Sequence, residues 1–317
     1  MTAQRILCVT LNPALDLTGT LEQLSRGSVN LVDYASLHAA GKGVNVAKVL
    51  AELGANVSVS GFLGLDNASA FEELFKQLEV EDHFIRVPGA TRTNVKLVEA
   101  SQQVTDVNFP GMPIDAQALQ ALEAKLLSLV DTHPWVVMAG SLPPGVSPAQ
   151  FGQLVSKLKQ AGAKVLVDSS REALTEALQA GPYMVKPNQE ELEQWCGQPL
   201  ENIAAIQAQG ERLAALGIAH VVISRGEQGV LWLHQGNWYQ AQPPLMQVVS
   251  TVGAGDTFVA GFCWGLSQGH VEAEQLRFAT ALSALAVSQV GVGVPPQHKL
   301  QATLDNTTFS KLSKTEG

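Results

Sequence analysis

Cysteine is scarce: the 317-residue chain has three, Cys8, Cys196 and Cys263, far apart and in no C-x-x-C pair. That pattern excludes a disulfide scaffold and a thiolate zinc cluster, and it suits a reducing compartment. Long apolar runs are also lacking. No stretch approaches the roughly 18 residues of a membrane span, and the first apolar run, Ile6–Leu11, stops at Asn12-Pro13, too short for a secretion signal. A soluble, cytoplasmic protein is expected. Positive charge is the third deficit. Twenty Lys and Arg, dispersed along the chain, stand against 29 Asp and Glu for a net charge of −9, so neither nucleic acid nor a membrane is an expected partner. The seven histidines form no H-E-x-x-H motif or close pair, which leaves a histidine metal site without support.

What is present is a hydrophobic content of 46%, enough for one large α/β domain over residues 1–317. Short apolar runs, Ile6–Leu11, Val57–Phe62, Trp135–Ala139, Lys164–Asp168, Tyr183–Val185 and Val221–Ser224, read as buried strands. Between them, Asn45–Leu53, Ala68–Gln77, Ala116–Val130, Pro148–Gln160, Gln189–Trp195 and Ile203–Leu216 carry amphipathic helical spacing, and Thr257–Gln268 and Glu272–Val290 follow as alanine-rich helices. Strand and helix in alternation imply a mostly parallel sheet covered on both faces. Residues from about 16 to 36 and from 93 to 109 break the rhythm with period-two alternation, as in Asn94-Val95-Lys96-Leu97-Val98, and read as a small half-exposed sheet inserted twice, a lid or a dimer surface.

Polar or glycine-rich residues follow each main strand: Asn12 and Asp16, Gly61–Gly64, Gly140-Ser141, Asp168–Arg171, Lys186-Pro187-Asn188 and Ser224-Arg225-Gly226. In an open α/β sheet such ends converge on one crevice. Ala39–Asn45 is neither a Walker A motif nor a G-x-G-x-x-G turn, so the P-loop and dinucleotide-binding readings lose their main support, and a nicotinamide-dependent oxidoreductase is disfavoured. Gly41 and Gly43 still permit close backbone approach to a ligand, with Lys42 and Asn45 able to hold oxygen atoms. The segment Gly253-Ala254-Gly255-Asp256 ahead of an apolar helix has two readings. Asp256 is the helix cap, or the glycine turn offers its amides to a phosphate with Asp256 beside it.

Asp16, Gly41–Asn45, Asn188–Glu191, Ser224–Gly229 and Gly253–Asp256, in that order, resemble the motifs of the ribokinase-like (PfkB-type) carbohydrate kinases, and the resemblance runs from Ile6 to about Pro296. Within that family Thr10–Asp16, His38–Gly43, Gly140–Gly145 and Asp168–Leu174 are most similar to bacterial 1-phosphofructokinases, with the tagatose-6-phosphate kinases close behind. The resemblance implies a three-layer α/β/α sandwich with a mostly parallel central sheet and a small β-sheet lid. It implies ATP-dependent phosphorylation of fructose 1-phosphate at its 6-hydroxyl, with ATP and magnesium required and a homodimer formed through the lid. The alternatives are a kinase for tagatose 6-phosphate or another phosphosugar, and, in a different class, a non-catalytic sugar-phosphate sensor.

Carried over residue by residue, Asp256 matches the family's catalytic base, and Gly253, Ala254 and Gly255 its anion-binding amides. Asn188 and Glu191 match the N-x-x-E pair that positions magnesium, largely through water, with Lys186 as a phosphate contact. Ser224, Gly226 and Gly229 match the nucleotide loop, which Val252 adjoins. Asp16, Gly41 and Asn45 fall on the sugar side, where Lys42, Arg92 and Ser141 are placed to hold the phosphate already on the sugar; Arg26 is a further candidate that reaches a neighbouring subunit. Ser250 and Val252 match backbone positions that bind potassium in some relatives.

Overall fold

A computed structural model describes residues 5–101, 103–289 and 291–313. Its centre is β1 (Ile6–Thr10), five consecutive buried residues. Successive strand residues point to opposite faces, and both faces of β1 are used: Ile6 and Cys8 pack into one apolar layer, Leu7 and Val9 into the other. A strand buried on both sides reads as an unbroken apolar run, which is why the sequence shows it plainly.

The chain continues through β2 (Ala14–Leu21), β3 (Tyr34–Ala40), α1 (Lys42–Glu52), β4 (Val57–Gly64), α2 (Ser69–Gln77), β5 (Glu81–Asp82), β6 (Ile85–Val87), β7 (Thr93–Glu99), β8 (Val104–Val107) and α3 (Ala116–Leu129). Next come β9 (Trp135–Ala139), α4 (Pro148–Gln160), β10 (Lys164–Asp168), α5 (Arg171–Gln179), β11 (Met184–Val185), α6 (Gln189–Cys196), α7 (Ile203–Ala215), β12 (His220–Ser224), β13 (Val230–His234) and β14 (Asn237–Gln242). The chain closes with α8 (Ala254–Gln268), α9 (Glu272–Ala286), α10 (Gln297–Asn306) and β15 (Thr308–Leu312).

The main sheet runs β15-β14-β13-β12-β11-β10-β9-β1-β4-β5, with β6 also on β4. From β12 through β5 the pairings are parallel, and β13, β14 and β15 extend the edge antiparallel. One face is covered by α1, α2, α8 and α9, through Val46, Phe71, Phe258, Phe262 and Leu282 among others. The opposite face is covered by α3 to α7, with Leu122, Leu154, Leu192 and Leu213 in two adjoining clusters. Each such side chain contributes about 1.5–3 kcal/mol by leaving water. This is the expected three-layer α/β/α arrangement.

The two rhythm-breaking segments form a separate four-stranded sheet, β3-β2-β7-β8, in which β2 pairs parallel with β7. Several boundaries differ from the sequence reading. Helix α1 begins at Lys42 rather than Asn45, and α8 at Ala254 rather than Thr257, because both helices start inside glycine-containing stretches whose composition disfavours helix. The expected end of the last alanine-rich helix, Val290, lies outside the described residues, as does Gln102 within the second rhythm-breaking segment. Helix α5, strands β13 to β15 and helix α10 were not anticipated.

Candidate active site

The parallel strands deliver their carboxyl ends to one cleft: β1 leads to Asn12, β9 to Ser141, β10 ends on Asp168, β11 leads to Lys186 and β12 ends on Ser224. The N-termini of α1 and α8, packed against each other, face these ends. Gly253 is the N-cap of α8, in the left-handed region at φ +81°, where a Cβ would collide with the side chain of Val292. No side chain caps this helix, and the Ala254 amide has only a long 3.4 Å bond to the Thr251 carbonyl. Helix geometry gives the Gly255 and Asp256 amides no acceptor within α8, so the turn is set up for an anion. The capping reading of Asp256 is therefore corrected: glycine caps the helix, and Asp256 is its third residue.

The Asp256 side chain turns instead toward α1, where Asn45 Nδ2 donates to its Oδ2 at 2.7 Å. Only 5% of Asp256 is exposed. Burial pushes its carboxyl up to about 6, against the opposing pull of Lys42 and with some help from Asp168. A carboxylate whose proton affinity is raised while it stays ionised at neutral pH has the properties of a general base.

Asp168 had been placed at a strand end without a role. It proves to be the hub of the cleft, fully buried, with Lys42 Nζ 3.2 Å from Oδ2 and Lys186 Nζ 3.2 Å from Oδ1. Burial alone would raise its carboxyl, but the two ammonium groups outweigh burial and hold it below the usual range. In return, Asp168 first, against the cost of burial, holds the Lys42 ammonium well above its ordinary value, with Asp256 and Glu191 assisting. Two buried carboxylates in one cleft thus titrate in opposite directions. Lys186 also approaches the first turn of α8: a Cβ on Gly255 would stand 3.5 Å from its Nζ.

Next to this cluster is a cavity of about 280 Å³. Lys186, Ser224, Gly226, Gly229 and Gly255 line it together with an apolar wall of Pro244, Met246, Phe258, Ala284 and Val287, which the sequence reading did not single out. No motif marks those residues, which come together only through packing. Gly226 has no neighbour within 4 Å of where a Cβ would be, leaving room beside a ligand, whereas Gly229 is required because a Cβ there would strike the Ala241 carbonyl of β14. Asn188 and Glu191 form a reciprocal capping box at the start of α6, Glu191 N–H donating to Asn188 Oδ1 at 2.7 Å and Asn188 N–H to Glu191 Oε2 at 2.9 Å. The Glu191 charge still reaches the cleft, since it helps keep Lys42 protonated.

On the opposite side, Asp16 accepts from Lys96 Nζ at 2.6 Å and Asn94 Nδ2 at 3.3 Å. Arg92 donates to the carbonyls of Asn12, Pro13 and Phe109. A guanidinium has five N–H groups, so two remain for a ligand once these bonds have fixed its plane. Ser141 Oγ accepts from Asn12 Nδ2 at 3.2 Å. Gly41 and Gly43 permit the close approach of α1 onto β1, because a Cβ at either would press on Thr10. Arg26 lies exposed in the connection between β2 and β3, and Val252 is 41% exposed with its amide bonded to Ser250 Oγ at 3.2 Å. Among the described residues no cluster of three or more His, Cys, Asp or Glu is placed to hold a metal, and no helix is long and apolar enough to cross a membrane.

A buried carboxylate in the first turn of a helix, two lysines on a shared carboxylate and an adjoining apolar cavity are parts that phosphoryl transfer can use. Comparison with known proteins identifies the lineage, since the description "pfkB family carbohydrate kinase" matches residues 4–299. The chain belongs to the pfkB family. This pfkB kinase is 54% identical over 314 residues to the 1-phosphofructokinase of Vibrio cholerae, with 99% of each chain covered. It is 45% identical over 302 residues to that of Escherichia coli K12, covering 95% of this chain and 97% of the relative. Among solved structures, the phosphofructokinase-2 of E. coli in complex with potassium superposes with a TM-score of 0.89 at 29% identity, covering 95% of this chain and 98% of the other.

Proposed function

We propose that this pfkB kinase is a 1-phosphofructokinase that transfers the γ-phosphoryl group of ATP to the 6-hydroxyl of fructose 1-phosphate, giving fructose 1,6-bisphosphate and ADP. The observation that carries the chemistry is Asp256, a buried carboxylate raised to about 6 in the first turn of α8. Its Oδ2 is oriented by Asn45, and it takes the proton of the acceptor hydroxyl as that oxygen attacks phosphorus. The amides of Gly255 and Asp256 then meet the charge on the transferring group, with Lys186 beside them. The adenine fits the apolar wall at Met246 and Phe258, and Ser224 and Gly226 flank the ribose.

The acceptor is supported by the names of the relatives and by the cations on its side of the cleft. Arg92 and Lys42, with Ser141, hold the 1-phosphate, a dianion that a free sugar would not bring. Asp16, fixed by Lys96, takes a sugar hydroxyl. Magnesium supplies neutralisation of the nucleotide phosphates when bound. The capping box engages one oxygen each of Asn188 and Glu191, a donor set that suits holding the ion through water rather than directly. Potassium on the Ser250 and Val252 carbonyls is supported by the potassium named for the E. coli phosphofructokinase-2 structure. The small sheet is read as a lid and as the surface of a homodimer: Tyr34, Leu37 and Val107 on it, and Val29, Leu31 and Phe109 in the segments beside it, are all exposed, apolar surface that a partner would cover.

Steady-state kinetics with fructose 1-phosphate, fructose 6-phosphate and tagatose 6-phosphate test the acceptor; a higher kcat/KM for tagatose 6-phosphate would overturn it. ATP binding without turnover on any phosphosugar would leave the sensor reading in its place.

A further inference from the structure

Glu52 closes α1 at the end away from the cleft, and nothing about its position there favours a carboxylate. The C-terminus of a helix carries partial negative charge, so an acid in the last turn works against the helix dipole. Its side chain is nonetheless fixed at the surface, with Oε2 accepting the Val294 amide at 2.5 Å across 242 residues of sequence. Lys48, one turn earlier, stands 4.0 Å from Oε1.

The segment it grips runs beneath the phosphate-binding turn. The Val287 carbonyl accepts the amides of Val249 and Ser250, which lead into that turn. Val292 fills the space where a Cβ of Gly253 would be, and so packs against the residue whose left-handed conformation starts α8. Gln289 Nε2 donates to the Gly293 carbonyl at 3.0 Å, so the segment is held from both sides just where Glu52 meets it. The other end of α1 carries Lys42 and Asn45, the partners of Asp168 and Asp256.

We propose that Glu52 is a positioning residue for the phosphate-binding turn: by anchoring Val294 it seats Val292 against Gly253 and fixes the first turn of α8 relative to α1. Helix α1 thereby sets the base from one end and the anion site from the other. Asn45 touches Asp256 directly, while Glu52 acts through the backbone of residues 292–294. The effect belongs to the nucleotide side, because Glu52 and Val292 touch none of the groups placed on the sugar. This rests on the kinase reading proposed above.

The test compares Glu52→Ala, which removes the acceptor, with Glu52→Gln, which keeps an oxygen for the Val294 amide and discards the charge. In Glu52→Ala, kcat should fall about tenfold or more and the KM for ATP should rise, with the KM for fructose 1-phosphate within about twofold, while Glu52→Gln stays within about threefold of wild type throughout. Val292→Ala should reproduce the ATP-side defect, and the double variant should be no worse than the more impaired single one, as expected for two residues on one line of contact. ATP affinity by calorimetry follows the same order, and it reads the inference even if fructose 1-phosphate proves not to be the acceptor; a wild type inactive on that sugar would count against the kinase reading instead. Unchanged kinetics in Glu52→Ala well below its melting temperature, equal impairment of the Ala and Gln variants, or additive defects in the double variant would each overturn the assignment. Should Glu52→Ala fail to fold, Val292→Ala decides alone, and normal ATP parameters there are fatal to it.

Discussion

On the side of the cleft proposed for the nucleotide a cavity of about 280 Å³ stands open between apolar walls, and the amides that begin α8 have no acceptor within their helix. On the side proposed for the acceptor the polar side chains singled out in the sequence are already bonded to protein: Asp16 to Lys96, Arg92 to three carbonyls, Ser141 to Asn12 and Lys42 to Asp168. The first site is preformed and gains from being filled. The second is self-satisfied, so its ligand has to use donors left over or displace partners at a cost. Selectivity follows from the second arrangement, because a sugar unable to replace those bonds leaves buried polar groups unpaired.

The largest effect expected is at the junction of the two halves. Asp256→Asn should lower kcat by roughly 10²–10⁴ with ATP affinity nearly unchanged; near-normal turnover would sink its role as the base. The same carboxyl gives two pH signatures. Catalysis needs it ionised, so kcat/KM should be level above about pH 6 and drop about tenfold per unit below it. Stability runs the other way. A carboxyl raised from its ordinary value favours the folded state while protonated, and that contribution is lost as pH climbs through about 6. Asp256→Asn should therefore be more stable than wild type at pH 8, by up to about 3 kcal/mol, and should show little gain at pH 4. Thermal melts at the two pH values check it.

Asp168→Asn comes next, removing the shared counter-charge of two lysines at a cost of about 3–5 kcal/mol. Inorganic phosphate should restore part of the lost melting temperature, since an anion can occupy the place between the lysines. An unaltered melting curve would mean that Asp168 does not hold them. Arg92→Met should raise the KM for fructose 1-phosphate roughly 10–100-fold, the scale of a lost charge-assisted pair, and leave the KM for ATP alone. A matching rise for ATP would erase the division between the two sides. Smallest is Met246→Ala in the cavity wall, at about 1 kcal/mol or roughly fivefold in the KM for ATP, with the sugar KM unmoved.

Strands β9 and β10 begin and end on the residues their apolar runs mark, because burial on both faces leaves no ambiguity of period. The hairpin of β13 and β14 was missed although its turn carries a signal: Gln235 and Gly236 both have positive φ, as a tight hairpin turn requires, but His234 and Asn237 blur the apolar alternation around it. Helix α5 starts on Arg171 at φ +55° with no side-chain cap, so nothing local announces it. In the site, Asp256 and the glycines beside it were legible as a motif. Their partners were not, since Asn45 meets Asp256 across 211 residues and Lys186 meets Asp168 through the order of strands. A motif names the residues, and only the fold decides which of them share a proton or a charge.

Strand β15 bears on how the molecule is made. Of all the strands in the main sheet it leaves the ribosome last, and it pairs along β14 from Trp238 to Gln242. Until it arrives, β14, paired with β13 on one side only, presents an open edge that carries Trp238 and Tyr239, a template on which a second nascent chain can add. Arg277 of α9 donates to the carbonyls of Leu304 and Thr307 just ahead of β15 and so ties the start of that strand to the helix layer. A message cut short before codon 308 would yield a chain with its catalytic groups all encoded and its sheet unsealed, a product for the cell's quality control.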